Sequence, residues 1–273
     1  MKQLVVSNID PSWPNIEIEY HKPIELFIDS LFGYDPNRNS FKILWVKEME
    51  AISGFKQTAM QNKNMFDAIL TYDDEILREC DNSHLMLFGT SWVHDYKFKE
   101  KKFQISHLTG HKNYTTGHKL RQKVHYKQDK INTPKDFYIS QYGGVDNFSN
   151  NKILLESKHP LFDSQFHICI ENSQQSNCFT EKLIDCFVTK TIPIYFGAPN
   201  IEKYFDTNGM FIVNSFEEIL KISNSLTEQD YKSRELYLEK NFEFAQQYVN
   251  IVDRLKTLIT KVLKDEKSNI NKH

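Results

Sequence analysis

Apolar residues recur along this chain at two spacings, and each change of spacing marks a change of element. Leu4 to Val6 reads as a short strand running into a loop with Pro11, Trp13 and Pro14. Ile24, Phe27, Ile28 and Leu31 recur at helical spacing, which predicts a short helix over 24–32. Phe41 to Val46 is a nearly unbroken apolar run of strand length, ending at the polar Lys47-Glu48-Met49-Glu50. Phe66 to Leu70 predicts another strand, and Leu85 to Phe88 leads into a Gly89-Thr-Ser turn. Phe103, Ile105 and His107 alternate, then Gly110 to Gly117 reads as loop and His118 to Tyr126 as a helix carrying Arg121. Phe137 to Ser140 predicts a strand before a Gln141-Tyr-Gly-Gly turn.

Phe166, Ile168 and Ile170 alternate again, with Cys169 small enough to be buried on the opposite face. The chain is polar from Glu171 to Asn177, and Leu183, Ile184, Phe187 and Val188 then supply a helical stripe with Thr180 near its start. Thr191 to Phe196 reads as a strand ending in Gly197-Ala-Pro199, followed by a strand at 210–213 and a helix at 216–226. From Glu235 the pattern is helical almost throughout, with Val252, Leu255, Ile259 and Val262 on one stripe. Strands alternating with helices predict α/β architecture with mainly parallel sheets. The charged run Lys97 to Lys102 is the candidate link. It implies an N-terminal α/β domain over 1–98, a second α/β domain over 99–250, and a C-terminal helix and tail over 251–273.

A formal net charge of −2 gives no general attraction to nucleic acid, and no arginine-rich stripe is present. Cys80, Cys169, Cys178 and Cys186 show no CxxC or zinc spacing and read as reduced thiols. The first residues hold too short an apolar run for a signal peptide, and no window reaches a membrane span. The expectation is a cytoplasmic protein whose basic C-terminal helix allows at most peripheral membrane contact. Two sequons, Asn113 to Thr115 and Asn147 to Ser149, carry little weight without a secretion signal.

The chemistry concentrates at 166–199. Unpaired N–H groups at the start of the helix after Asn177, with Lys182 at the same end, suit a diphosphate. Glu171-Asn172-Ser173, Phe179-Thr180-Glu181-Lys182 and Pro193-Ile-Tyr-Phe-Gly-Ala-Pro199 together resemble the signature of the alpha-1,3/1,4-fucosyltransferases, glycosyltransferase family 10. Cys178 stands where members usually carry tyrosine. The resemblance implies a GT-B fold, two Rossmann-like α/β domains facing a central cleft, with the donor nucleotide on the C-terminal one. It also implies a donor set of Arg121, Glu171, Asn172, Ser173, Phe179, Thr180 and Lys182, with Arg121 and Lys182 as diphosphate clamp. The plainer reading of Arg121 is a solvated helix face.

Glu181 could steady charge at the anomeric carbon, and it equally favours a helix N-terminus through the dipole. In the family a glutamate after an aromatic-rich strand takes the acceptor proton. Glu50 fits that place without the family's proline, and Glu48 lies two residues earlier. Trp13 and Trp92 are candidate sugar platforms. No Asp-x-Asp, P-loop or zinc spacing among His107, His111, His118 and His125 supports a metal or nucleotide hydrolysis. The implied activity is an inverting, metal-independent transfer of L-fucose from GDP-fucose to an acceptor glycan, with no cofactor. Two alternatives stay open: another GDP-sugar as donor, or an idle nucleotide- or glycan-binding protein.

Overall fold

The computed structural model describes residues 1–10, 12–141 and 152–270, with side chains to residue 266. The sequon at Asn147, most of the turn after Gln141 and Pro11 lie outside the described residues. The chain forms two compact units, Met1–Phe88 with Asn250–His273, and Gly89–Val249.

The first unit holds β1 (Lys2–Ser7), β2 (Glu17–Glu19), β3 (Ile24–Ile28), β4 (Phe41–Val46), β5 (Ala68–Thr71) and β6 (Ser83–Leu85). Their order is β2-β1-β3-β4-β5-β6, parallel throughout except for β2 against β1. Short helices α1 (Glu50–Ser53), α2 (Lys56–Gln61) and α3 (Asp74–Glu79) fill the connections. The helix Ile251–Ile270 closes one face, with Leu255, Ile259, Val262 and Leu263 in a core shared with Val5, Ile24, Leu26 and Ile43. Trp13 packs on that core, stacked on Trp45 with centroids 6.1 Å apart, so its ring serves packing.

The helix expected over 24–32 is instead strand β3, in register with β4 from Ile24 opposite Phe41 to Ile28 opposite Trp45. All five residues of β3 are buried. A central parallel strand is covered on both faces, so its apolar positions satisfy a helical spacing by chance. Glu25 of β3 is buried and bonded to Arg38 and Ser40.

The second unit holds β7 (Lys102–Thr109), α4 (Thr116–Tyr126), β8 (Lys135–Ser140), β9 (Lys152–Leu154), β10 (Ser164–Ile170) and α5 (Glu181–Val188). It continues through β11 (Ile192–Phe196), β12 (Phe211–Ile212), α6 (Phe216–Ser225), α7 (Glu228–Lys232) and α8 (Glu235–Gln246). The sheet order is β12-β11-β10-β7-β8-β9, and every pairing is parallel. Ile105, Phe166, Ile168 and Ile194 fill one core with Val124 of α4 and Ile219 of α6. The predicted alternation of β10 holds, and Cys169 is fully buried, as the other three cysteines are buried. No helix among the described residues is long and apolar enough to cross a membrane.

Candidate functional site

The second sheet winds outward in both directions from the neighbours β7 and β10, so the crevice beyond their C-terminal ends is a switch point where ligands collect. Thr109-Gly110 and Ile170-Glu171 stand at that edge. Helix α4 begins directly against it. Thr115 caps the helix, accepting from His118 N–H at 3.1 Å, and the Gly117 N–H donates to Asn172 O at 2.9 Å. A Cβ on Gly117 would lie 1.8 Å from Glu171 O, so only glycine permits this approach. One turn later the helix presents Arg121.

Arg121 is not on a solvated face. Its guanidinium donates to Ile170 O at 2.5 Å and to Asn172 Oδ1 at 2.8 Å. His107 of β7 lies beneath, its ring nitrogens 3.0 Å from Arg121 O and 3.2 Å from Ile168 O. Burial holds its pKa at about 4, so the ring is neutral and donates to one of those two carbonyls. Burial also lowers the pKa of Arg121, against the pull of Glu171 and Glu181, yet leaves it a cation.

Helix α5 supplies the other half. Thr180 is its N-cap, and the fully buried Glu171 fixes that cap from the end of β10. Glu171 accepts from Thr180 N–H and from Thr180 Oγ1, both at 2.8 Å. Lys182 Nζ donates to Thr180 Oγ1 at 3.0 Å and to Glu181 Oε1 at 3.2 Å, and lies 3.6 Å from Glu171 Oε2. The turn after β11 is held by its own strand. Tyr195 Oη accepts from Ala198 N–H at 2.9 Å, and the ring leaves Gly197 no room for a Cβ.

The same face carries charges that sequence reasoning missed. Lys158 Nζ lies 3.4 Å from Glu181 Oε1, 3.5 Å from Asp185 Oδ2 and 4.0 Å from the Trp92 ring centroid. Asp185 is fully buried, and its Oδ1 accepts from Ser91 Oγ at 3.0 Å and Trp92 N–H at 2.8 Å. The result is an alternating row, Glu171, Lys182, Glu181, Lys158, Asp185. Burial alone would raise Glu181, but the Lys182 and Lys158 charges outweigh it and hold its pKa at about 2. Asp185 is pushed up to about 6 by burial and by Glu181, against the opposing pull of Lys158 and its two hydrogen bonds. Lys182 is raised: burial opposes its charge, and Glu181 and Glu171 more than offset that.

Arg121, Glu181, Lys182, Lys158, Asp185 and Trp92 all line a cavity of about 230 Å³ that reaches Thr109 and Gly110 at the switch point. Of the sequence-predicted set, Arg121, Glu181 and Lys182 therefore meet there. Glu171 and Thr180 stand behind Lys182 and shape the helix start, and Asn172 orients Arg121. Ser173 is half-buried in the loop beyond β10. Phe179 is fully buried among Tyr204, Phe205 and Tyr248 and lies away from the cavity wall. Trp92 is 62% exposed, one face under Lys158. No sequence signal marks Lys158 or Asp185 beyond their charge.

Residues 99–262, more than half of the chain, match the family model "Glycosyltransferase family 10 (fucosyltransferase) C-term". The chain belongs to glycosyltransferase family 10. Within the family, a 57-residue stretch is 40% identical to the alpha-(1,3)-fucosyltransferase FucT of Helicobacter pylori, covering 21% of this chain and 12% of that protein. A 135-residue stretch is 27% identical to GDP-fucose protein O-fucosyltransferase 3 of Xenopus tropicalis, covering 42% and 28%. The aligned stretches thus span well under a third of either curated relative. A crystal structure of an alpha1,3-fucosyltransferase with GDP-fucose superposes with a TM-score of 0.53 at 16% identity, over 92% of this chain and 90% of that one. That likeness shows the fold, which is GT-B.

Of the family 10 signature, Glu181 and Lys182 line the cavity. Cys178, where members usually have tyrosine, is buried. Glu50 belongs to the first unit, at the start of α1, and its Oε2 accepts from Lys56 N–H at 3.0 Å. Glu48 pairs with Lys47 at 3.7 Å. Among the described residues no three His, Cys, Asp or Glu side chains cluster to hold a metal ion. The buried His107 and His118 bond to backbone and to Thr115 instead.

Proposed function

We propose that this chain transfers L-fucose from GDP-fucose to a hydroxyl of an acceptor glycan, with inversion at the anomeric carbon. The observation that carries the reading is the convergence of Arg121 and Lys182 on one cavity at the switch point of a parallel sheet. A diphosphate placed there meets a planar guanidinium, an ammonium and the N-terminal end of α5. The acceptor oxygen attacks the anomeric carbon as its bond to the β-phosphate oxygen breaks. Glu50, or Glu48 beside it, takes the acceptor proton, and GDP departs into the field of Arg121 and Lys182. Glu181, ionised at every working pH, faces the positive charge that develops on the sugar. These fixed cations do the charge-neutralising work, so the transfer needs no metal and no cofactor. The partners are a GDP-sugar and an oligosaccharide or glycoconjugate acceptor, and the protein works in the cytoplasm with at most peripheral membrane contact.

Calorimetric titration with GDP, UDP and CDP, in chelator, tests this directly. GDP alone should bind, and Lys182→Ala should weaken it by about tenfold or more, roughly 1.4 kcal/mol. Equal binding of all three nucleotides, or none, would remove the donor assignment. GDP binding with no fucose transfer, unchanged by Glu50→Gln, would point to an idle binding protein.

A further inference from the structure

Glu181 Oε1 is shared by two ammonium groups, Lys182 at 3.2 Å and Lys158 at 3.4 Å. The two lysines differ in what else they hold. Lys182 also reaches Glu171 and Thr180 at the start of α5, where a diphosphate would draw on its charge. Lys158 comes from the segment between β9 and β10, outside the family signature, and reaches the same Glu181 oxygen. Its side chain is only 15% exposed. The Trp92 ring covers it at 4.0 Å, and Asp185 lies 3.5 Å away. Asp185 is itself fixed by Ser91 and the Trp92 N–H, while its Oδ2 accepts no hydrogen bond among the described residues. Nothing but the ammonium compensates that buried oxygen, so Lys158 is held in place from two directions.

We infer that Lys158 is a positioning residue for Glu181, keeping the carboxylate oriented on the cavity wall when Lys182 turns to the donor diphosphate. This rests on the donor-site reading above. A bound diphosphate adds negative charge beside Glu181 and competes for Lys182, and both effects favour protonation of the carboxylate. Arg121 lies on the cavity too and would be drawn to the same anion. Asp185, the carboxylate beside Glu181, pushes the same way. Lys158 is the cation that Asp185 and the Trp92 ring also hold, so it stays with Glu181. A Glu181 carboxylate no longer held in that orientation would not stabilise a cationic sugar.

The test compares Lys158→Met and Lys158→Arg with the wild-type chain in three measurements: GDP affinity, the pH profile of kcat for fucose transfer, and NMR titration of the Glu181 carboxyl carbon. Lys158→Met should leave the GDP Kd within about threefold, lower kcat by about tenfold or more, and move the Glu181 titration up by about one pH unit or more. Lys158→Arg should restore both kcat and titration. A Glu181 titration unchanged in Lys158→Met overturns the inference. So does a GDP affinity that falls in parallel with kcat, since Lys158 would then bind the diphosphate itself. If the wild-type chain neither binds GDP nor transfers fucose, the donor reading fails, while the carboxyl titration still decides whether Lys158 governs Glu181.

Discussion

Gly117→Ala is the sharpest single perturbation of the proposed donor site, because it adds one methyl group where the backbone leaves no room. The new Cβ would sit 1.8 Å from Glu171 O and 2.8 Å from the Asn172 carbonyl. An ordinary carbon–oxygen contact needs about 3.3 Å, and the obstructing atoms are backbone at the end of a central strand. The helix must therefore retreat by more than an ångström. Retreat stretches the Gly117 N–H bond to Asn172 O, worth about 1 kcal/mol, and overpacking adds about 1–3 kcal/mol. The better helix propensity of alanine returns at most about 1 kcal/mol. A net loss of about 2 kcal/mol in urea denaturation is expected. Arg121 rides on the same helix one turn on, so its bonds to Ile170 O and Asn172 Oδ1 are strained together. GDP affinity should fall by about tenfold, and turnover by up to about a hundredfold for an ångström of misplacement. Lys119→Ala, exposed on the same helix, controls for a generic helix effect and should change neither quantity. Wild-type stability and wild-type GDP affinity in Gly117→Ala would refute the argument that this contact sets the position of Arg121.

Two further outcomes follow from the charge row. Glu171→Gln keeps an acceptor for Thr180 N–H but removes the charged acceptor of Thr180 Oγ1 and a counter-charge of Lys182. It should cost about 2–3 kcal/mol by chemical denaturation and weaken GDP binding, and a loss below about 0.5 kcal/mol would show that Glu171 does not fix the helix start. Asp185, with a folded pKa of about 6 against an unfolded value near 3.8, binds its proton more tightly when folded. Its contribution therefore favours folding below about pH 4 and is withdrawn as pH rises through 6, by about 3 kcal/mol in all. Asp185→Asn should flatten stability between pH 4 and 6. Glu181 acts oppositely: its folded pKa of about 2 gives stability present above about pH 4.5 and lost as pH falls toward 2. That acid limb should survive in Asp185→Asn, and an unchanged slope from pH 4 to 6 would contradict the assignment.

The second unit was the more legible half of the chain. Its strands alternate or end in Gly-Ala-Pro, and α4 to α7 begin at Thr or Ser caps, so local chemistry and tertiary role agree at β7, β10, α5 and β11. β3 was misread because burial on both faces erases the period that distinguishes strand from helix. Arg121 and Lys182 could be paired from sequence only through the family signature. They are 61 positions apart in the numbering, and it is the β7–β10 pairing that brings their helices to one edge. Phe179 belongs to that signature yet is a core residue, since the aromatic beside Thr180 turns inward against Tyr204, Phe205 and Tyr248. Lys158 was invisible for the opposite reason. A lysine in a polar stretch such as Glu156-Ser-Lys158 reads as solvated, and only the fold puts it beneath Trp92 and between two buried acids.

The charge row also explains how so many ionised groups are tolerated in a buried wall. Each anion lies within 3.6 Å of a cation and each cation bridges two anions, so desolvation is shared along the row. Removing any member leaves neighbours uncompensated. Isolated surface pairs would contribute little, but here Glu171, Glu181 and Asp185 are all buried. Arg121 stands outside the row, with its two hydrogen bonds going to a carbonyl and an amide oxygen, and it adds a positive charge to the cavity. The row carries one more negative than positive charge, which Arg121 balances. On the proposed reading, a donor diphosphate draws on Arg121 and Lys182 and leaves Lys158 beside Glu181.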